Sequence, residues 1–364
     1  MTEYSKQTVV LDVMGADFGP EAIIRGGLAA ARSQVESLQL VLVGKKEQID
    51  PILAAISDVP PNVTIEPAAS EVPMTMTATD GVRIKDSSIS IGLKLLRRKQ
   101  ADAFVSPGHT GAVMASSLLT LGRIHGVIRP AIAGAFPTST GLPCVVLDVG
   151  ANVDCKPQHL SQFAVMGAVY SQILFDTQNP RVGLISIGEE RSKGNELIFG
   201  ARKLLSESHI NFVGNIEGRD VLAGLVDVAV TDGFTGNILL KFGESVLPFL
   251  RKAVEHQVQT NIFSRIGVTL MLPFLRRIKR AFDYAQVGGA PLLGVNGVVI
   301  ICHGASNSVA ISNAVRVAHD MARKRINECI HRELTANHFG KRHEPADESK
   351  NLRDRVVRPT GSDN

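Results

Sequence analysis

Four cysteines in 364 residues, Cys144, Cys155, Cys302 and Cys329, lie far apart and form no C-x-x-C pair. That spacing excludes a disulfide framework and a zinc site, and it reads as free thiols in a reducing compartment. No two glycines stand two positions apart, so the G-x-G-x-x-G fingerprint of dinucleotide sites is missing. No lysine precedes a serine or threonine, which removes the Walker A loop. H-E-x-x-H and G-x-S-x-G are absent, and no His or carboxylate cluster has metal-ligand spacing. No cofactor and no metal are expected. A formal charge of +4 is too small to indicate nucleic acid, and none is expected as a partner.

Tryptophan is absent and aromatics reach only 5%, yet 44% hydrophobic and 20% charged content describe a soluble globular chain. The longest apolar stretch in a helical context, IGVTLMLPFL at 266–275, falls short of the roughly 20 residues needed to span a bilayer. The N-terminus shows no basic start followed by a long apolar core, so a cytoplasmic location is expected.

Short Val- and Ile-rich runs alternate with helical patterns. Strands are expected at 8–14, 38–44, 63–68, 102–106, 144–150, 181–188, 211–216, 226–232 and 297–302. Most are continuous apolar runs, the pattern of parallel strands covered on both faces. The expected fold is α/β, with helices on both sides of an open, mostly parallel sheet and ligands at the carboxyl ends of its strands.

An internal echo marks two of those ends. ADAFVSPGHTGAVM (101–114) and VDVAVTDGFTGNIL (226–239) each read Asp, apolar strand, Gly-x-Thr-Gly, helix. Asp102 aligns with Asp227, Gly108 with Gly233 and Thr110 with Thr235. The plain alternative is a tight turn with glycine supplying φ > 0. As a ligand loop, each turn would offer amides and hydroxyls to an anion.

Further polar groups sit at other strand ends: Asp12, Gly15 and Asp17; Asp148, Gly150, Asn152 and Asp154; Lys193 and Asn195; Asp232, Asn237 and Lys241; and His303. Lys193 and Lys241 are candidates to neutralise a bound anion. Ser106, Thr110 and Thr235, with the amides around Gly108, His109, Gly111, Gly233 and Gly236, are candidates to cradle it. Asn152 or Asn195 is a candidate donor to a developing oxyanion. No covalent nucleophile is evident. Such a kit suits phosphate aligned against a thioester, where positioning matters more than a strong base.

Seven blocks then carry a likeness: LDVMGAD, VSPGHTGAVMA, VLDVGANVDCKPQHLSQFAVMGAVYS, GLISIGEERSKGNEL, FVGNIEGRDV, DVAVTDGFTGNILLK and GGAPLLGVNGVVIICHGASN. In order and spacing they resemble the PlsX-type phosphate acyltransferases of bacterial phospholipid synthesis, from about residue 8 to 330. The resemblance implies a three-layer α/β/α sandwich like that of phosphate acetyltransferases and isocitrate-type dehydrogenases. It implies a homodimer that moves a long acyl chain from acyl carrier protein onto inorganic phosphate. The acyl phosphate would feed a membrane glycerol 3-phosphate acyltransferase. Ala16 and His109 stand where the family commonly has Gly and Asn, and Cys302–Ser306 where it has Gly-His-Gly-Ser-Ser. His109 is therefore expected only to hydrogen-bond. Lys193, His303, Asn152 and Asp232 are the candidates for catalysis.

One domain is expected over 5–335, with an amphipathic helical insertion at 244–285 and a disordered polar tail at 336–364. Between Glu255 and Asp283 no acidic residue occurs, while Arg265, Arg276, Arg277, Lys279 and Arg280 supply cations beside an apolar face. Residues 262–284 are expected on an anionic membrane surface, at a dimer interface, or both. Competing functions are an isocitrate-type dehydrogenase, needing a metal and a nucleotide, and a non-catalytic phosphate or acyl-chain binder.

Overall fold

The computed structural model describes residues 6–260, 267–268, 270–271, 274 and 288–339. Its strands are β1 (Gln7–Asp12), β2 (Leu38–Gly44), β3 (Val63–Pro67), β4 (Ala103–Ser106), β5 (Ala131–Phe136) and β6 (Cys144–Leu147). They continue with β7 (Val182–Ile185), β8 (Phe212–Ile216), β9 (Val228–Val230), β10 (Ala290–Leu293) and β11 (Val298–Ile301). The helices before β7 are α1 (Pro20–Ser33), α2 (Lys46–Ala54), α3 (Ala78–Gly81), α4 (Ser88–Arg97), α5 (Thr110–Leu121) and α6 (Pro157–Phe175). Those after it are α7 (Glu196–Ser206), α8 (Gly218–Ala223), α9 (Gly233–Thr260), α10 (Ser308–Arg323) and α11 (Ile326–Ala336).

All eleven strands form one sheet in the order β3-β2-β1-β4-β11-β10-β5-β6-β9-β7-β8. Alternate residues of each strand enter opposite cores. Val9, Leu11, Leu40 and Leu42 pack on one face and Val10, Val43 and Phe104 on the other. Helices cover both faces, and the three-layer α/β/α expectation holds.

The sheet is not uniformly parallel. β3, β2, β1, β4 and β11 run together. β10 is antiparallel to β11 and to β5, and β5 is antiparallel to β6. Those three reversals turn β6, β9, β7 and β8 against the first group, while they stay parallel to one another. β5 and β10 carry no clear strand signal, because Ala and Gly dilute AIAGAF and Ala and Pro dilute APLL.

The echo has a structural counterpart in each half. Asp102, entering β4, accepts the Thr8 N–H of β1 at 2.7 Å. Asp227, entering β9, accepts the Arg181 N–H at the start of β7 at 2.8 Å. Each aspartate pins its strand to a parallel neighbour.

α9 takes over the expected helical region but begins earlier, at Gly233. Most of 262–284 and residues from 340 onward lie outside the described residues; the tail expected from 336 does not begin there, since α11 runs through Ala336 and the buried Asn337 accepts the His209 N–H at 2.9 Å. No helix among the described residues is long and apolar enough to cross a membrane.

Candidate active site

The sequence-predicted residues fall into two clusters. Asp12, Gly15, Asp17, Ser106, Gly108, His109, Thr110, Gly111 and His303 gather where β1, β4 and β11 end. Asn152, Lys193, Asn195, Asp232, Gly233, Thr235, Gly236, Asn237 and Lys241 follow β6, β7 and β9. β4 and β9 are five steps apart in the sheet order, about 24 Å at the usual spacing of about 4.8 Å per strand. One phosphate does not touch both threonine turns, and the single cradle expected from the echo is two separate structures.

The first cluster is knitted to itself. Ser106 Oγ donates to Asp12 at 2.7 Å and accepts the Gly108 N–H at 3.1 Å. Both side chains are buried, so Ser106 and Asp12 support the turn from beneath and do not face a ligand. Burial pushes the Asp12 carboxyl up to about 6, against the Ser106 and Met14 donors that pull it down. Gly15, at φ +75°, lies so close to this turn that a Cβ on it would stand 3.0 Å from Gly108 Cα. His109 Nδ1 accepts the Ala112 N–H at 3.1 Å, and His303 Nδ1 accepts the Ala305 N–H at 3.1 Å. Each neutral ring therefore carries its proton on Nε2 as a donor, the His303 side chain being exposed and that of His109 half-buried. His303 is placed to donate a hydrogen bond, not to act as a base. Thr110 is exposed. Asp17 N–H donates to Gly304 O at 2.9 Å, joining the β1 and β11 loops.

Beside this cluster opens a cleft of about 310 Å³, lined by Asp17, Gln48 and Glu71 with Met14, Val72 and Met74. Its lining includes two carboxylates and no lysine or arginine, an unfavourable setting for a phosphate dianion.

The second cluster stands on four adjacent parallel strands, so the loops after β6, β9, β7 and β8 emerge side by side. Asp148, fully buried at the end of β6, is its base. It accepts the N–H groups of Ile132, Gly150, Ala151 and Asn152 and the side-chain amide of Asn152, at 2.7–3.1 Å. Burial raises its pKa while these donors oppose the rise. The second hydrogen of the Asn152 amide goes to Pro130 O at 2.7 Å. Asn152 thus has no free donor for an oxyanion, and the structure makes it a brace for the β6 loop.

The Thr235 turn packs directly on this brace. Gly233 N–H donates to Asn152 O at 2.7 Å. A Cβ on Gly236 would lie 1.9 Å from Asp148 O, so only glycine fits there. Asp232 caps α9, accepting Thr235 N–H at 2.8 Å and Thr235 Oγ1–H at 2.9 Å. The amides of Gly233 and Thr235, expected to grip an anion, are already occupied. Asn237, one turn on, is exposed beside Gly150. Asn195 is the N-cap of α7, its Oδ1 accepting the Ile198 N–H at 3.0 Å. Lys241 lies two turns up α9 and pairs with Glu244 at 2.9 Å, away from the expected anion.

Lys193, in the loop after β7, is exposed, and its ammonium has no ion pair or hydrogen bond among the described residues. Its neighbours differ. Arg219 is paired with Glu217 and Glu189. Cys155 donates to Asn152 O at 3.7 Å. Burial, then the Asp148 and Asp232 charges, push its thiol up to about 12. No thiolate forms there near neutrality. Among the described residues no serine hydroxyl or cysteine thiol is hydrogen-bonded to a histidine ring, and no group of three His, Cys, Asp or Glu side chains could hold a metal.

This architecture is shared with solved acyl-transfer enzymes at low sequence identity. A phosphotransacetylase from Streptococcus pyogenes superposes with a TM-score of 0.59 at 16% identity, covering 87% of this chain and 94% of that one. One from Staphylococcus aureus gives 0.55 at 14% identity, covering 88% and 96%. The fold is therefore that of the phosphotransacetylases.

Sequence relatives define the family. The family model described as "Fatty acid synthesis protein" matches residues 7–329. A phosphate acyltransferase from Halothermothrix orenii is 45% identical over 329 residues, covering 90% of this chain and 98% of the relative. One from Pelotomaculum thermopropionicum is 47% identical over 323 residues, covering 88% and 93%. The chain belongs to the phosphate acyltransferase family and is an acyltransferase.

Proposed function

We propose that this acyltransferase moves a long-chain acyl group from the thioester of acyl carrier protein onto inorganic phosphate. A phosphate oxygen attacks the thioester carbonyl carbon; the new C–O bond forms and the C–S bond breaks, giving acyl phosphate and the free carrier thiol. The observation that carries this reading is the exposed Lys193 ammonium, without an ion pair or hydrogen bond among the described residues, on the edge where burial keeps the Cys155 thiol protonated and Asp232 is occupied in capping α9. With no activated side-chain nucleophile at that edge, the attacking atom comes from the second substrate. Lys193 holds the phosphate, and the exposed carboxamide of Asn237 donates to the carbonyl oxygen as it gains charge. His303 and the Thr110 turn lie too far along the sheet to share that anion.

Carrier protein is acidic in chemistry, and exposed cations around the second cluster suit its docking. The product is apolar at one end and labile, which favours release at a membrane to a glycerol 3-phosphate acyltransferase. We place that contact on 262–284, where Leu270, Met271 and Phe274 are exposed. Homodimerisation through α9 accords with its exposed Phe242 and Phe249.

The test is to incubate the protein with acyl carrier thioester and radiolabelled phosphate. Labelled acyl phosphate and carrier thiol are expected in equal amounts. Thiol release without label in the lipid product refutes phosphate as acceptor.

A further inference from the structure

Lys193 is exposed and unpaired, so something else must fix where its ammonium goes. Its turn is closed by Lys193 N–H donating to Glu190 O at 3.0 Å. The side-chain amide of Asn215, at the end of β8, donates to Glu190 O and to Lys193 O at 3.1 Å each. One carboxamide thus clamps both ends of the turn that carries Lys193. Turning the amide over would set Oδ1 against two carbonyl oxygens, so this orientation alone makes the bonds.

Two further observations fit a positioning role. Asn215 is 8% exposed, and its Oδ1 is buried without a partner. A buried acceptor left unmet is unfavourable, and an apolar residue would fill the same space without it. Beneath the lysine, Gly188 leaves room for its stem, since a Cβ there would stand 2.8 Å from Lys193 Cγ. The lysine is thus held by a glycine floor and a two-point clamp on its main chain.

Resting on the reading of Lys193 above, we infer that Asn215 is a positioning residue for phosphate capture. It touches no reacting atom; it sets the 190–193 turn so that the ammonium meets the anion. Asn215→Ala removes both donors. Asn215→Asp keeps the volume, loses the donors and sets a carboxylate against the carbonyls, and it carries the test if the alanine variant does not fold.

The experiment is a double-mutant cycle with Lys193→Ala, reading kcat/KM for inorganic phosphate. Asn215→Ala is expected to lower kcat/KM about tenfold in the wild-type background, mainly through KM. In the Lys193→Ala background the same change is expected to cost less than about twofold. Independent, multiplicative losses, or unchanged kinetics in Asn215→Ala, overturn the inference. Amide hydrogen exchange at Lys193 is the second readout, expected to quicken in either Asn215 variant. If the wild-type protein shows no transfer to phosphate, the functional reading fails. The clamp is then judged by exchange alone, and unchanged protection refutes it.

Discussion

The buried Asp12 carboxyl makes the stability of this fold depend on pH in a direction opposite to that of most carboxylates. Its native pKa is raised from 3.8 to about 6, chiefly by burial. Below pH 4 both folded and unfolded chains hold the proton. Between about 4 and 6 the folded chain keeps it and the unfolded chain loses it, so stability falls as pH rises through that window. The full effect is about 3 kcal/mol, from roughly two pKa units at about 1.4 kcal/mol each. Asp227 and Asp320, whose pKa values are lowered, act in the other sense, but below about pH 4. Asp148 shares the direction of Asp12 and persists in a variant at position 12. Asp12→Asn keeps an oxygen to accept from Ser106 and removes the titration. Urea unfolding between about pH 3 and pH 8 should therefore show a fall in stability for the wild type that exceeds that of Asp12→Asn by about 3 kcal/mol. Parallel curves for the two proteins would falsify the assignment of a buried, proton-holding Asp12.

Other perturbations separate support from chemistry. Asn152→Ala strands Pro130 O and one side of Asp148, and should lower stability by about 1–3 kcal/mol; thermal unfolding checks this, and a folded variant with normal melting but no turnover would return Asn152 to the chemistry. Gly236→Ala places a methyl 1.9 Å from a backbone oxygen and should destabilise by about 3 kcal/mol or more, measured by denaturant midpoint; an unchanged midpoint contradicts the packing described. Lys193→Ala should raise KM for phosphate at least tenfold with the circular dichroism spectrum unchanged, and normal KM removes the residue from the site. Leu270→Asp with Met271→Asp should abolish sedimentation with anionic vesicles, and retained binding ends the membrane reading of that segment.

The strands richest in Val and Ile were legible because buried parallel strands write themselves as apolar runs. β5 and β10 were not, since Ala and Gly dilute the first and Ala and Pro the second. That omission had a consequence for the site. Each antiparallel step reverses the sense of the sheet, and all three steps involve β5 or β10. Without them the two Gly-x-Thr-Gly turns look like neighbours around one anion; with them they belong to opposed halves. The echo itself was sound, down to Asp102 and Asp227 accepting equivalent strand amides.

Side-chain roles were harder to read than position. Asn152 and Asp232 stand where a donor and an acid would be wanted, but their bonds go inward to Pro130, Asp148 and Thr235. The Lys241–Glu244 pairing was visible in principle as an i,i+3 pair of opposite charges. Asn215 left one signal, a polar residue near the end of a strand in FVGNI, that only the turn above it explains.

Where phosphate binds decides whether Lys193 takes part in the transfer. A crystal soaked in orthophosphate should show the anion beside the Lys193 ammonium, at the carboxyl ends of β7 and β9 and within reach of Asn237. Density at the Thr110 turn after β4, with the Lys193 edge empty, contradicts that role for Lys193.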